Sequence, residues 1–171
     1  MSMVFKFRML SDENDRFVRD YEVMYDMTLL EFNRFICKDL KYDPNAMTSF
    51  FTSDSRWNRL REYILVDMEE TGREDAPLPM EGVALGQIIH KHRDRLIFLF
   101  DLFADRAYYL ELTATGQARP GTEYPRTVLS EGCAPDQFDP EAGSDESGSI
   151  FDDAMGEFSD FEGDDSYDDE Y

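Results

Sequence analysis

Apolar and polar residues alternate near the start of the chain, where charged side chains separate Phe5, Phe7 and Met9. This period of two is typical of a β-strand with one buried face, which we place at residues 4–10. The alternation resumes over residues 17–24, after a short polar connection. Two such strands in succession predict a β-hairpin.

The spacing changes to a helical one at Thr28. Thr28 and Glu31 fit a capping box, in which the threonine hydroxyl and the glutamate carboxylate each accept from the other's backbone N–H. Apolar residues then recur three and four positions apart, at Leu29, Phe32, Ile36 and Leu40. The pattern predicts a helix over residues 29–41, which the Asp43-Pro44 pair ends.

Short apolar runs predict four further strands, at residues 47–52, 62–68, 95–103 and 107–115. Residues 56–68 also fit a helix through Trp57, Leu60 and Ile64, but the β-branched and aromatic content near their end favours a strand. Residues 83–92 predict a second, short helix. Glycine and proline in residues 69–79 and 116–135 predict irregular connections.

These elements predict one α+β domain over residues 1–137. Its sheet is expected to be mostly antiparallel, with about six strands, and to carry two helices packed on one face. The remaining residues, 138–171, form a second segment of different composition. Low hydrophobicity and charge of one sign predict that this acidic tail is disordered in isolation.

Charge is distributed unevenly along the 171 residues. The chain has 38 acidic and 17 basic residues, and all the basic ones precede Asp136. From Asp136 to the end, 15 residues are acidic. This balance argues against direct nucleic-acid binding, which needs clustered basic charge. The longest apolar run, residues 96–100, is far below the roughly 20 residues of a membrane span.

The N-terminal residues have charges inside every apolar stretch, so we expect no signal peptide and a cytoplasmic location. The two cysteines, Cys37 and Cys133, are too few for a disulfide framework. Cys37 lies in the apolar pattern of the predicted helix, where a thiol usually acts as a small buried hydrophobe. We therefore expect two free thiols.

Candidate catalytic groups are few. The two histidines, His90 and His92, close the second predicted helix within a basic cluster, which favours a helix-terminus role over metal binding. Asp101 and Asp105 could divide acid and base roles, with Cys133 or a histidine as a further group. The interpretation that we favour places Asp105 in a hairpin turn and Asp101 on a solvent-facing strand position. Catalytic, metal and cofactor sites are expected to be absent.

Aromatic residues in the acidic tail point to docking instead. Phe151, Met155 and Phe158 are four and then three positions apart, a spacing that places them on one helical face, and Phe161 follows. A tail that only solvates needs no such residues. The tail is therefore predicted to contact a basic partner protein.

Several motifs resemble the family named after the third open reading frame of a root-inducing plasmid, some of whose members are described as insertion-element passenger proteins. The resemblance covers about residues 3–138 and is carried by five stretches, at residues 17–23, 28–32, 47–51, 99–103 and 124–136. It implies an α+β fold rather than a particular activity.

The resemblance has departures. A glycine and a second aspartate of the family's aromatic-Asp stretch are replaced by Phe103 and Ala104, and a tryptophan and a histidine by Arg106 and Tyr108. If these polar residues form a site in relatives, this chain has lost or remodelled it. The expected function is a non-catalytic cytoplasmic interaction protein, which contacts a basic partner or mimics nucleic acid. The alternative is an enzyme that uses carboxylates near Asp101.

Overall fold

The computed structural model of the chain describes residues 2–65 and 76–138. In chain order its elements are β1 (Met3–Ser11), β2 (Val18–Met24), α1 (Leu29–Leu40), β3 (Ser49–Ser53), β4 (Arg59–Ile64), β5 (Leu78–Pro79), α2 (Leu85–Ile88), β6 (Arg95–Asp101), β7 (Arg106–Gln117) and β8 (Arg126–Glu131). The chain divides after Gln137 into two units, and all these elements belong to the first. Among the described residues, no helix has the length and apolar character needed to span a bilayer.

The strands form one sheet in the order β5-β4-β3-β6-β7-β1-β2-β8. Every neighbouring pair is antiparallel except β4 and β5, which are parallel. The α+β class and the mostly antiparallel sheet are as predicted. Within the described residues the sheet has eight strands, so the expected number of six was wrong.

The two strands that the sequence pattern missed are β5 and β8, at the two edges of the sheet. β5 has only two residues, too few for any alternation. β8 lies within the region expected to be irregular, where a proline at 125 precedes it and Gly132 follows it. Its strand character comes from pairing with β2, which a local pattern does not report.

Helix α1 begins at the predicted capping box. The hydroxyl of Thr28 accepts from the backbone N–H of Glu31, and the Glu31 carboxylate accepts from the backbone N–H of Thr28, each at 3.1 Å. The helix ends at Lys41, whose φ of 60° is left-handed and whose N–H donates to helix carbonyls. These local contacts explain why the helix was predictable to within one residue.

Both helices pack on one face of the sheet, as predicted. Phe32 of α1 is fully buried, and its ring lies 5.7 Å from that of Phe50 and 5.6 Å from that of Phe7. Leu85 and Ile89, in and just after α2, join the same apolar core. Alternate residues of β6 point to the other face, where a smaller cluster is formed by Ile97, Leu99 and Ala107 beneath Phe51, Trp57 and Tyr109.

Two predicted boundaries were wrong. The fourth strand covers Arg59–Ile64 rather than 62–68, because a turn held by the Asp54 carboxylate starts it earlier. Residues 66–68 lie outside the described part of the chain. α2 has only four residues, because the Asp94 carboxylate accepts from the backbone N–H groups of His90 and Lys91 and holds them in a turn.

The prediction of a disordered tail, and the tail residues Phe151, Met155, Phe158 and Phe161, lie outside the described residues.

Candidate interaction surface

The turn between β6 and β7 is built on Asp101 and Arg106, which face each other across the two strands. One Asp101 oxygen accepts from the backbone N–H of Ala104 at 3.2 Å, and the other lies 3.3 Å from Nη1 of Arg106. Asp101 is buried, so the interpretation of it as a solvent-facing residue was wrong. Its burial depends on the ion pair, which the sequence pattern does not reveal.

Arg106 connects this turn to the loop between β1 and β2. Its guanidinium donates to both carboxylate oxygens of Glu13, at 2.9 to 3.2 Å, and lies 4.8 Å above the ring of Phe100. Burial alone would lower the pKa of Arg106, but hydrogen bonds and charges from Glu13 and Asp101 outweigh it and raise that pKa. The guanidinium is therefore a permanent cation at this end of the sheet.

The segment after β8, residues 132–137, crosses the same end of the sheet, and we call it the strap. It starts at Gly132, whose φ is +72° and where a Cβ would lie 2.5 Å from the carbonyl oxygen of Arg16. Only glycine satisfies both conditions without a shift of the backbone. The strap thus leaves β8 at a fixed point and in a fixed direction.

Hydrogen bonds to main-chain carbonyl groups hold the strap along its length. Asn14 donates its side-chain amide to the carbonyl of Cys133 at 2.9 Å. The Tyr42 hydroxyl donates to the carbonyl of Pro135. Arg106 donates to the carbonyls of Asp136 and Gln137, at 2.8 and 3.2 Å. A single guanidinium therefore binds the turn, the β1–β2 loop and the strap.

At the last residue of the strap, the Gln137 side chain pairs with the backbone of Asp43 through two hydrogen bonds of 2.6 and 3.1 Å. Hydrogen bonds therefore hold the strap from Cys133 to its last residue.

Two tyrosines support the strap from below. The hydroxyls of Tyr42 and Tyr108 are hydrogen-bonded to each other, and both rings pack near Phe100, at 5.4 and 4.8 Å. Burial raises the pKa of Tyr42 to about 12 and also raises that of Tyr108. Both phenols keep their protons at neutral pH, so Tyr42 can donate to the strap while Tyr108 donates to Tyr42.

The tip of the β6–β7 turn presents an apolar side chain to solvent. Phe103 is fully exposed, and Leu102 beside it is 40% exposed. Asp105, with a left-handed φ of 54°, holds the other side of the turn through a 2.8 Å ion pair with Arg59. Asp101 and Asp105 therefore fix the turn from both ends while the Phe103 ring stays uncovered.

Acidic side chains are frequent in the segments that meet at this end of the sheet. The exposed ones come from the β1–β2 loop, the turn and the strap, and they are Asp12, Glu13, Asp15, Asp105 and Asp136. Burial first, and then the nearby charge of Asp12, raises the pKa of Tyr109. Glu13 and Asp105 are paired with arginines, and the other three acidic side chains form no ion pair within the described residues.

The structure does not bring the two histidines to the turn that holds Asp101 and Asp105. His90 lies just before β6 and Asp101 at its end, and a strand of seven residues spans about 20 Å. His90 and His92 are exposed and lie in a loop, so the helix-terminus explanation of their basic cluster was wrong. The exposed Cys133 thiol makes no hydrogen bond within the described part of the chain. Residues 2–65 and 76–138 contain no group of three or more potential metal ligands.

Sequence reasoning missed Arg106 and Glu13 as partners, since no local pattern links two residues so far apart. It also missed Phe103, because residues 95–103 were predicted as one strand, whereas β6 ends at Asp101 and Leu102 and Phe103 lie in the turn.

Comparison with known proteins gives a likeness of fold. No family model matches the chain, and no curated protein matches it. A crystal structure titled as a protein of unknown function, MM3350 from Methanosarcina mazei Go1, is similar to 76% of this chain with a TM-score of 0.61. The match covers 70% of that protein at 12% sequence identity. At this identity, the similarity establishes a shared architecture.

Proposed function

We propose that this protein is a non-catalytic interaction protein, and that its acidic tail, residues 138–171, contacts a basic partner protein. The observation that carries the proposal is the uncovered ring of Phe103 on a turn held by Asp101, Arg106 and Arg59. Aromatic side chains in this position are typical anchors of protein interfaces. Because the backbone of the turn is already held, binding through this side chain needs little ordering of the main chain.

The charge around the anchor indicates the kind of partner. Exposed acidic residues lie in the β1–β2 loop and the strap, and the 15 acidic residues from Asp136 onward have no basic residue among them. Acidic groups attract a cationic partner and disfavour an acidic one, mainly by increasing the association rate. A partner that itself binds nucleic acid would meet this requirement, which keeps nucleic-acid mimicry within the proposal.

The proposal also includes the family of the chain and its location in the cytoplasm. The motif order supports a diverged member of the root-inducing-plasmid family, in which Phe103 replaces a glycine. The free thiols of Cys37 and Cys133 are compatible with the reducing conditions of the cytoplasm.

The proposal is tested with the full chain as bait, followed by affinity measurement with the purified captured protein at constant salt. Replacing Phe151, Met155 and Phe158 together by Ser keeps every charge and should weaken binding at least tenfold, about 1.4 kcal/mol. Phe103→Ser should weaken it by a similar factor, whereas Leu60→Ser, which changes another exposed apolar residue, should not. Unchanged affinity in the triple variant and in Phe103→Ser would contradict the proposal.

A further inference from the structure

A second surface lies along α1. It is a groove of about 710 Å³, to which the helix contributes Leu30, Arg34 and Lys38. These residues are four positions apart, so they form one row along the helix. The row from Leu30 to Lys38 spans about 12 Å at 1.5 Å per residue, and Tyr42, past the end of the helix, also lines the groove.

The charge of the groove is opposite to that of the chain as a whole. Arg34 and Lys38 are exposed, and neither forms an ion pair with a side chain among the described residues. None of the seven lining residues is acidic, although the chain has 38 acidic residues and only 17 basic ones. Within the described residues, the groove therefore has two cations side by side that no acidic side chain pairs with.

Apolar groups form the rest of the groove. Leu30 and Leu65 are half-buried and pack against the main core, leaving part of each side chain accessible. Pro44 adds a rigid apolar edge on the far side. A ligand with carboxylates on one side and apolar groups on the other would satisfy both parts of the lining.

We propose that this groove docks an acidic amphipathic peptide segment of a partner protein, lying along α1. Its carboxylates would pair with Arg34 and Lys38, and its apolar side chains would cover Leu30 and Leu65. The length of the row favours a peptide, because about 12 Å corresponds to two turns of helix. Docking of an amphipathic helix into a groove is a common mode of recognition. The positive charge of Arg34 and Lys38 favours an acidic helix over a basic one.

The probe is a fluorescein-labelled peptide of 16 residues, made of Asp, Glu and Ser with Phe, Met and Phe spaced four and three apart. Its fluorescence anisotropy is titrated with the full chain at 150 mM salt. Arg34→Glu together with Lys38→Glu should weaken binding at least tenfold. The matched control, Lys91→Glu with Arg93→Glu, makes the same change of net charge outside the groove and should leave the Kd within twofold.

A second peptide, with the three apolar residues replaced by Ser, separates docking from attraction of charge alone. It should bind at least tenfold more weakly to the unmodified chain. Equal weakening by the two charge-reversed chains, or equal binding of the two peptides, would overturn the proposal. The two proposals are tested by different substitutions, because the tail and Phe103 are unchanged in every chain compared here.

Discussion

Arg106 donates to both carboxylate oxygens of Glu13, a residue 93 positions earlier in the chain. The same guanidinium pairs with Asp101 and holds two carbonyls of the strap. Three separate segments of the chain thus share one cation. Because this cation and Asp101 are both largely removed from solvent, the ion pair contributes to stability chiefly by keeping the carboxylate compensated.

Removing the cation should leave a buried carboxylate without a counter-charge. We expect Arg106→Met to lower the free energy of unfolding by about 3 kcal/mol. The double variant Arg106→Met with Asp101→Asn should cost less than the sum of the two single changes, since it leaves no buried charge. Urea unfolding of the four chains measures the difference. Strict additivity would show that the two groups are not coupled.

Two truncations should separate the strap from the acidic tail. A chain that ends at Phe138 keeps every contact of the strap and loses one-signed charge, so its Tm should stay within about a degree or rise slightly. A chain that ends at Gly132 loses the partners of Asn14, Tyr42 and Arg106 and should melt at least about 5 °C lower. Calorimetry compares the two. A large loss in the longer chain would contradict this prediction.

Phe32 is the central side chain of the helix–sheet core. Phe32→Ala should cost roughly 3 to 5 kcal/mol, because it empties a fully buried site between the rings of Phe7 and Phe50. Phe35→Ala is the matched control on the same helix, since Phe35 is only partly buried and should cost clearly less. Chemical denaturation gives both values, and a cost below about 1 kcal/mol at Phe32 would be incompatible with this packing.

Stability should fall at alkaline pH through buried groups that resist ionisation. Burial raises the pKa of Cys37 from 9.0 to about 11 and that of Tyr42 from 10.0 to about 12. The unfolded chain loses these protons first, so the stabilisation is complete below pH 9 and is lost as pH rises toward 12. Urea midpoints between pH 8 and 11 should therefore decrease.

The pH effect has an internal control. Tyr42→Phe should reduce the alkaline decrease of the urea midpoint, since one of the groups with a raised pKa is gone. Tyr25→Phe, at an exposed tyrosine, should leave the decrease unchanged. Identical pH profiles for the unmodified chain and Tyr42→Phe would show that the raised pKa of Tyr42 does not contribute to the alkaline decrease.

Sequence pattern was sufficient where neighbouring residues determine the structure. The capping box of Thr28 and Glu31 is a contact over three positions, and the alternation in β1 reports one buried face directly. The pattern failed where pairing with a distant segment decides the outcome. β8 is a strand because β2 lies beside it, and Asp101 is buried because Arg106 faces it.

The candidate surfaces were predictable only in part. The acidic balance of the chain is visible from composition. That acidic residues of the β1–β2 loop, the turn and the strap lie at one end of the sheet is visible only in the fold, because Arg106 joins these three segments. The groove on α1 was hidden for a similar reason. Arg34 and Lys38 are ordinary solvent-facing residues in the helical pattern, and only the positions of Pro44 and Leu65 turn that face into a groove.

The way in which the strap is held has a consequence for how the sequence can vary. The donors to the strap, Asn14, Tyr42 and Arg106, bind backbone carbonyl oxygens. Because every amino acid provides a backbone carbonyl, these hydrogen bonds do not depend on the side chains at 133, 135 and 136. We therefore expect most substitutions to be tolerated at these three positions. Substitutions of the three donor residues and of Gly132 should be tolerated poorly. Saturation mutagenesis scored by protein abundance would display this contrast as a short permissive stretch directly after an intolerant glycine.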